Sequence, residues 1–388
     1  MAQRFGWRAM VVCMVCLGLL VQARADEPAL HRDINERIIT LHVEAKDFKG
    51  VVTEGDIPVT TFRPNGDGPF PLVVISHGRS GSKRAEMGRA RFESAARYFV
   101  RKGFAVAVPT RLGYSGTANL GDPENEGACR IARYDAAMQA ASSQIAATVA
   151  RLQQERWVDK RRVLLVGQSV GGIGTVAAAS LGIPGVVAAV NFAGGHGGNP
   201  EQHPGVPCNE DALLKLYAGF GKISTLSMLW VYTRNDRYFD AAHSKAWADA
   251  YNAAGGHAEY RLMGAFGENG HQLFDDGNDI WQPVLDTWLT RFGFTTPGAL
   301  KAPPESGYAA IGEVAKLPYP DMPSLVAGYL KFLEARGEHR AFALNASGNW
   351  GWAFGADDVQ SRALAFCQRS SGKPCVLYAV DGAVVWKP

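Results

Sequence analysis

The sequence of 388 residues has a single long apolar run, and this run lies at its N-terminus. Residues 10–21 are mostly apolar, follow Arg4 and Arg8, and precede an Ala-x-Ala sequence that ends at Ala25. The pattern predicts a secretory signal peptide over residues 1–25, with an uncleaved N-terminal anchor as the alternative. Because no second run approaches the roughly 18 residues of a membrane helix, we expect no membrane insertion after cleavage.

An excess of either charge is missing as well. The first 25 residues hold three arginines and no acidic residue, which leaves 37 basic and 37 acidic residues in the rest of the chain. A protein without a basic field has little to attract the phosphates of nucleic acids or anionic lipids. We therefore expect no nucleic-acid partner. The sequence does not specify an oligomeric state.

Metal and nucleotide motifs are also lacking. The sequence has no His-Glu-x-x-His run and no Gly-x-x-x-x-Gly-Lys-Ser/Thr loop. The spacing of His196, Glu201 and His203 matches no tetrahedral metal site. We expect neither a metal nor a cofactor.

Cysteine is scarce after the predicted signal peptide. Four cysteines remain, namely Cys129, Cys208, Cys367 and Cys375. An even number in a secreted chain predicts disulfides, although four cysteines allow three pairings and free thiols are the alternative. The short interval favours a bond between Cys367 and Cys375, which leaves Cys129 and Cys208 to join two loop regions.

What the sequence does contain is an alternation of strand-like and helical segments over residues 38–293. Residues 71–76 form a continuous apolar run, which is typical of a strand buried on both faces of a parallel sheet. Residues 83–102 and 131–155 have helical spacing. The alternation predicts an α/β fold with a mostly parallel, doubly wound sheet and a site at the carboxyl ends of its strands.

The composition changes after residue 294. Residues 295–304 and 317–323 are rich in proline and small residues, which indicates an irregular connection. We therefore expect a large α/β domain over residues 26–294, a linker with a short helix over 295–339, and a small α+β module over 340–388.

Within the small module, residues 348–352 predict a Trp/Gly-rich turn and residues 357–369 predict a helix. We interpret Trp350, Trp352 and Trp386 as core residues, with a binding surface as the alternative.

The most informative segment is the run that ends in Gly167-Gln168-Ser169-Val170-Gly171. A buried-strand pattern over residues 163–166 leads directly into this Gly-x-Ser-x-Gly motif, and an alanine-rich helix follows. A serine at the tip of a sharp strand-to-helix turn exposes its hydroxyl, and the glycines permit the turn. We predict that Ser169 is a nucleophile; an incidental serine in a glycine-rich turn is the alternative.

A nucleophilic serine needs a base and an acid that orients the base. Asp236 follows the strand-like residues 226–233, and His271 lies in a glycine-rich loop before the last helix of the domain. Both follow the serine in the order expected for this type of turn. We predict Asp236 as the acid and His271 as the base. Asp240 is the alternative acid, although it is better placed to cap the next helix.

The developing oxyanion needs N–H donors. We expect one donor from Val170, the residue after the serine. We expect the second from Arg79, because Ser76-His77-Gly78-Arg79 follows the first buried strand and its glycine lets the main chain approach a substrate. An ordinary turn is the alternative. Residues 112–133 form either a rim over the pocket or a surface loop.

The sequences His77-Gly78 and Gly167-Gln168-Ser169-Val170-Gly171, together with Asp236 and Gly270-His271, resemble the α/β-hydrolases. Within that superfamily they are most similar to the dienelactone hydrolase-like bacterial serine esterases. The resemblance covers residues 40–294 and implies the α/β-hydrolase fold. Two residues depart from known patterns: strict dienelactone hydrolases use cysteine in place of Ser169, and many lipases have histidine in place of Gln168. The C-terminal unit is similar to a small disulfide-bearing module of other secreted bacterial proteins.

The resemblance implies a serine hydrolase that cleaves a small-molecule carboxylic ester through an acyl-enzyme, and the predicted signal peptide makes it a secreted or periplasmic protein. Two other functions stay open. The same three side chains would serve a peptidase or amidase, and a binding protein could be built on an inactive hydrolase scaffold.

Overall fold

We describe the protein from a computed structural model, which covers residues 1, 29–294, 303–335, 339–355, 359–369 and 373–388 in describable detail. The predicted signal peptide and the start of the predicted linker lie outside the described residues, except for Met1. No helix in the described part of the chain is long and apolar enough to cross a membrane.

An eight-stranded sheet dominates the chain up to residue 294, with the strand order β1-β2-β4-β3-β5-β6-β9-β10. In chain order the strands of this region are β1 (Arg37–Lys46), β2 (Val52–Phe62), β3 (Phe70–Ser76), β4 (Ala105–Pro109), β5 (Val158–Gln168), β6 (Val186–Phe192), the short hairpin strands β7 (Gly198–Asn199) and β8 (His203–Pro207), β9 (Ser227–Thr233) and β10 (His257–Met263). In the eight-stranded sheet, β1 pairs with β2 and β2 pairs with β4 in antiparallel orientation, and the remaining neighbours, β4-β3-β5-β6-β9-β10, pair in parallel. Strands β7 and β8 pair antiparallel with each other, outside this sheet.

Helices cover both faces of this sheet. They are α1 (Glu93–Arg101), α2 (Tyr134–Leu152), α3 (Val170–Ala179), α4 (Glu210–Gly221), α5 (Ala241–Ala253), α6 (Leu273–Asp276) and α7 (Asn278–Leu289). One apolar cluster joins the sheet to α2, α3, α4 and α5, and a second joins its other face to α1, α6 and α7. The central strands are apolar throughout because helices bury both of their faces. The predicted α/β fold class is confirmed.

The prediction of a helix over residues 83–102 is wrong for its first half, since α1 begins only at Glu93. The chain before α1 points arginine side chains inward. Arg89 Nη1 lies 3.0 Å and Arg91 Nη2 lies 2.5 Å from the carboxylate of Glu36, whose side chain is fully buried. Two arginines two positions apart cannot both reach one buried carboxylate from a regular helix, because such positions lie on different helix faces.

A separate four-stranded antiparallel sheet follows, with the order β12-β11-β13-β14. Its elements are α8 (Pro323–Glu334), β11 (His339–Leu344), β12 (Trp350–Gly355), α9 (Val359–Arg369), β13 (Val376–Val380) and β14 (Ala383–Val384). The predicted small α+β unit is confirmed, although the division of the chain into domains at residues 26–294, 295–339 and 340–388 stays a prediction. Residues 357–358 of the predicted helix lie outside the described residues.

The predicted Trp/Gly-rich turn is wrong at its second half, because Trp350 and Trp352 belong to strand β12. Their side chains are half-buried and pack with Trp386 against the apolar cluster beneath α8. Gly351, between the two tryptophans, lies against α9, where a Cβ would be 2.3 Å from the main-chain nitrogen of Cys367. The interpretation of these tryptophans as core residues is supported.

Candidate active site

Ser169 lies at the turn between β5 and α3, and its main chain adopts φ 58° and ψ −125°. This conformation is strained for a residue with a side chain, and such strain collects at functional turns. The Ser169 N–H donates to the carbonyl of Phe192 on the neighbouring strand at 3.0 Å, and the Ser169 carbonyl accepts from the N–H of Gly172 at 2.8 Å. The strained turn is therefore held from both sides.

The two glycines of the Gly-x-Ser-x-Gly motif are explained by close contacts. A Cβ on Gly167 would lie 2.0 Å from the carbonyl oxygen of Gly171. A Cβ on Gly171 would lie 2.1 Å from the carbonyl oxygen of Ser76 at the end of β3. Real Cβ atoms do not approach oxygen so closely, so only glycine lets β5, α3 and β3 meet at this point.

Asp236 and His271 are brought together at the carboxyl edge of the sheet. The two Asp236 oxygens lie 3.1 and 2.9 Å from His271 Nδ1, and both side chains are almost fully buried. A carboxylate only accepts, so Nδ1 carries the proton and Nε2 is left as an acceptor. The main-chain N–H groups of Tyr238 and Phe239 also donate to Asp236 Oδ1, at 2.8 and 3.1 Å.

The loops that carry the acid and the base are fastened to each other. The N–H of Gly270 donates to the carbonyl of Asn235 at 3.2 Å. The side chain of Asn269 accepts from the N–H groups of His271 and Arg237, at 3.2 and 3.0 Å. These bonds fix the segment before His271, and the ring of Tyr238 packs on the imidazole with centroids 4.2 Å apart.

The serine turn touches the histidine loop through Gln168. Its side-chain Nε2 donates to the main-chain carbonyl of His271 at 3.2 Å. The residue that differs from many lipases therefore bridges the two halves of the candidate site. The hydroxyl of Ser169 has no hydrogen bond to any described residue, and contacts of this kind commonly form only once a substrate is bound.

The loop after β3 lies directly against the serine. A Cβ on Gly78 would be 3.2 Å from the Cβ of Ser169. His77 Nδ1 lies 2.7 Å from the carbonyl of Gly78, and His77 Nε2 accepts from the N–H of Arg111 at 3.1 Å. Burial, together with the charge of Arg111, lowers the pKa of His77 to about 3, so this histidine is neutral and structural rather than a base.

The predicted oxyanion donors flank this contact. Val170 is the first residue of α3, where main-chain N–H groups are unpaired within the helix and favour negative charge. Arg79 follows Gly78, and its guanidinium makes a two-pronged ion pair with Asp122, with both N–O distances at 2.7 Å.

Arg111 and Glu124 form a fully buried ion pair that the sequence did not reveal. Arg111 Nε and Nη2 lie 2.5 and 3.0 Å from the Glu124 oxygens. Arg111 Nη1 also donates to Ser76 Oγ at 2.8 Å and to the carbonyl of His77 at 2.7 Å. The only sequence signal is the alternation of acidic residues at positions 122, 124 and 126 in a glycine-rich segment. Segment 112–133 therefore braces the loop after β3 and is more than a surface loop.

The alternative residues occupy other roles. Asp240 caps α5 by accepting from the N–H of His243, as the capping alternative predicted. The imidazole of His243 is paired with Asp240 and Glu210. His196 is buried in the loop after β6, and both of its ring nitrogens lack a hydrogen-bond partner among the described residues. His203 belongs to the small hairpin of β7 and β8, which the sequence did not predict.

Both predicted disulfide pairings are present, Cys129–Cys208 and Cys367–Cys375. The first joins the segment 112–133 to the loop that follows β8. Across the described parts of the chain, no group of three or more metal-binding side chains occurs.

Residues 57–219 match the family model of the dienelactone hydrolase family. No sequence among the curated proteins gives a significant match. Together with this match, the sheet topology and the serine turn after β5 show the α/β-hydrolase fold, and residues 57–219 are similar to the dienelactone hydrolase family.

Solved structures of several hydrolases are similar to this chain. The acetyl xylan esterase from Paenibacillus sp. R4 is 17% identical, with a TM-score of 0.42 over 67% of this chain and 88% of its own. The Pyrococcus furiosus esterase Pf2001 is 12% identical, with a TM-score of 0.42 over 66% of this chain and 90% of its own.

A Mycobacterium tuberculosis puromycin-hydrolyzing peptidase is 16% identical, with a TM-score of 0.49 over 68% of this chain and 41% of its own. This chain therefore spans less than half of the peptidase's length.

Proposed function

We propose that this protein is a serine hydrolase that cleaves carboxylic esters through an acyl-enzyme, with Ser169 as nucleophile, His271 as base and Asp236 as the acid that orients the base. The observation that carries the proposal is the strained serine turn beside a buried Asp236–His271 pair, joined through the contact of Gln168 with His271.

The chemistry follows from the protonation of the pair. Asp236 holds the proton on His271 Nδ1, so Nε2 accepts the hydroxyl proton of Ser169 as the oxygen attacks the ester carbonyl. The resulting tetrahedral oxyanion accepts hydrogen bonds from the N–H groups of Val170 and Arg79. Collapse breaks the ester C–O bond, and Nε2–H delivers its proton to the departing alcohol. Water then repeats the sequence on the acyl-serine and releases the acid.

The main-chain strain at Ser169 supports this role. A turn at positive φ costs on the order of 1–3 kcal/mol and persists only where surrounding contacts fix it. Here Phe192 and Gly172 bond the main chain on either side of the turn. A preformed turn keeps the hydroxyl in place without further ordering when a substrate binds.

We place the protein in the periplasm or outside the cell as part of the same proposal. Two disulfides support an oxidising compartment, because structural disulfides are rare in the reducing cytosol. The predicted signal peptide supports the same location.

The test replaces Ser169 with alanine. We expect kcat/KM for p-nitrophenyl acetate to fall by at least about 10³-fold, because the remaining groups give only residual catalysis. Ser180→Ala is the matched control: this serine directly follows α3, and its hydroxyl only donates to the carbonyl of Ala177. Near-normal turnover by the folded Ser169 variant would contradict the proposal. Comparing an acyl p-nitroanilide with the matching ester separates amide from ester hydrolysis.

A further inference from the structure

The loop after β3 has few main-chain contacts of its own. Within the described residues, neither the N–H nor the carbonyl of Arg79 makes a hydrogen bond to another main-chain group. An oxyanion donor must be held within a fraction of an ångström of its working position, since a shift of about 1 Å can reduce the rate about a hundredfold. Something other than secondary structure must therefore fix Arg79.

The side chain of Arg79 supplies that fixation. Its two terminal nitrogens each lie 2.7 Å from one oxygen of Asp122, in the parallel arrangement that sets both distance and orientation. The pair is mostly buried, with side-chain exposures of 11% and 15%. Burial alone would lower the pKa of Arg79, but the bond to Asp122 raises it above its usual value.

Asp122 is itself held in place. Arg84 Nε lies 3.3 Å from Asp122 Oδ2, and Arg84 Nη1 donates to the carbonyls of Gly121, at 3.0 Å, and Gly113. The same segment contains Cys129, whose disulfide joins it to Cys208. The position of Asp122 is therefore fixed by the contacts of Arg84 and by the disulfide in the same segment.

We propose that Asp122 is a positioning residue for the oxyanion hole: by clamping the guanidinium of Arg79, it fixes the Arg79 main-chain N–H beside Ser169 before a substrate arrives. The inference rests on the proposed function and deepens it. Asp122 does not touch the reacting atoms. It contributes by preorganisation, which is the property on which oxyanion stabilisation depends.

The experiment uses two variants, each of which removes one partner of the Arg79–Asp122 ion pair. Asp122→Asn removes the charge, and Arg79→Met keeps the main-chain N–H but removes the guanidinium. We expect each to lower kcat for p-nitrophenyl acetate by roughly tenfold to a hundredfold with KM changed by less than about twofold, because the loss falls on the transition state. The affinity of an alkyl trifluoromethyl ketone, whose adduct with serine carries an oxyanion, should fall by a similar factor.

The double variant distinguishes a clamp from two separate effects. If Asp122 and Arg79 act through one contact, the double variant has no lower activity than the less active of the two single variants. Asp135→Asn is the matched control, since Asp135 also makes a two-pronged pair with an arginine, Arg133, but at an exposed position in α2. If Asp122→Asn does not fold, Arg79→Met alone tests the inference. In that variant Asp122 keeps Arg84 as a charged partner, so we expect it to fold.

Unchanged kcat and ketone affinity in a folded Arg79→Met or Asp122→Asn variant would overturn the inference. A lower unfolding temperature with wild-type kcat would have the same meaning, because it would assign the pair a structural role alone. Failure of the proposed function is distinguishable: the wild-type protein would then turn over no ester and bind no trifluoromethyl ketone.

Discussion

At the scale of single residues, Glu124 is a fully buried carboxylate beside the candidate site. Neither this carboxylate nor its partner Arg111 has any exposed side-chain surface. Burial alone would raise the pKa of Glu124, but the charge and hydrogen bonds of Arg111 lower it from 4.5 to about 2. A group with a lowered folded-state pKa stabilises the fold above its unfolded pKa, and this stabilisation is lost as the pH falls through the folded value.

The resulting prediction concerns acid stability. We expect Glu124→Gln to lower the free energy of unfolding at pH 7 by about 3–5 kcal/mol, because it leaves Arg111 buried without a counter-charge. We also expect the variant to lose less stability than the wild type between about pH 4.5 and pH 2, where Glu124 takes up its proton. Urea unfolding at several pH values measures both effects.

The control is Glu44→Gln, at an exposed position on β1, which should change the free energy of unfolding by less than about 0.5 kcal/mol. Equal stability of Glu124→Gln and wild type at pH 7 would contradict the role assigned to the buried pair.

The candidate catalytic residues could be predicted from the sequence, whereas the buried ion pairs beside them could not. Ser169, Asp236 and His271 are candidates from the sequence because each follows a recognisable strand or glycine-rich loop, in the order Ser, Asp, His that is typical of the α/β-hydrolase fold. Arg111 and Asp122 could not, since a buried ion pair depends on which loops meet in space. Nothing in the local sequence distinguishes Arg111 from an arginine in solvent.

At the scale of elements, the turn after β5 depends on the absence of side chains. The Cβ of an alanine at Gly171 would lie 2.1 Å from the carbonyl oxygen of Ser76 and 2.4 Å from that of His77. We expect Gly171→Ala to destabilise the fold by at least about 2 kcal/mol and to abolish ester turnover, because α3 must move away from β3. Thermal unfolding and p-nitrophenyl acetate turnover provide the two measurements.

Gly219→Ala is the matched comparison. Gly219 lies inside α4, and a Cβ there would meet no atom within 4 Å. The same substitution should therefore stabilise the protein by about 0.5–1 kcal/mol, since alanine loses less conformational entropy on forming a helix. Equal effects of the two substitutions would refute the packing explanation of the motif.

The elements themselves were largely predictable where one periodicity dominates. The buried strands β3 and β4 have uninterrupted apolar runs, and α2 and α5 have regular helical spacing over many residues. The prediction failed over residues 83–92, where tertiary ion pairs to Glu36 outweigh helical propensity. It also missed the β7–β8 hairpin, because β7 has only two residues and β8 contains two prolines and a glycine, which are unfavourable in strands.

At the scale of the whole molecule, polar side chains connect the helices that cover the eight-stranded sheet with α9, which packs on the four-stranded sheet. Arg97 on α1 is almost fully buried, pairs with Asp33 and Glu93, and donates to the side chain of Gln368 on α9 at 2.9 Å. Arg362 on α9 lies 2.8 Å from Asp279 on α7. The small antiparallel unit is thus in polar contact with the α/β part on the face of α1 and α7.

The two disulfides should contribute unequally to global stability. They close intervals of 79 and 8 residues. In the chain-entropy account a longer loop restricts the unfolded chain more, which gives about 4.5 kcal/mol for Cys129–Cys208 and about 2.5 kcal/mol for Cys367–Cys375. Paired cysteine-to-serine variants of each bond, unfolded in guanidinium chloride, should preserve this order. A larger loss of unfolding free energy from removing Cys367–Cys375 would contradict the chain-entropy explanation.

The identity of the nucleophile is tested most directly by covalent labelling. The purified, folded protein is treated with a fluorophosphonate, and the modified residue is located by mass spectrometry of its peptides. We predict one phosphonyl group per chain, on Ser169, and none on the Ser169→Ala variant. Modification of a different residue, or an unlabelled wild-type protein that is fully folded, would contradict the proposed mechanism.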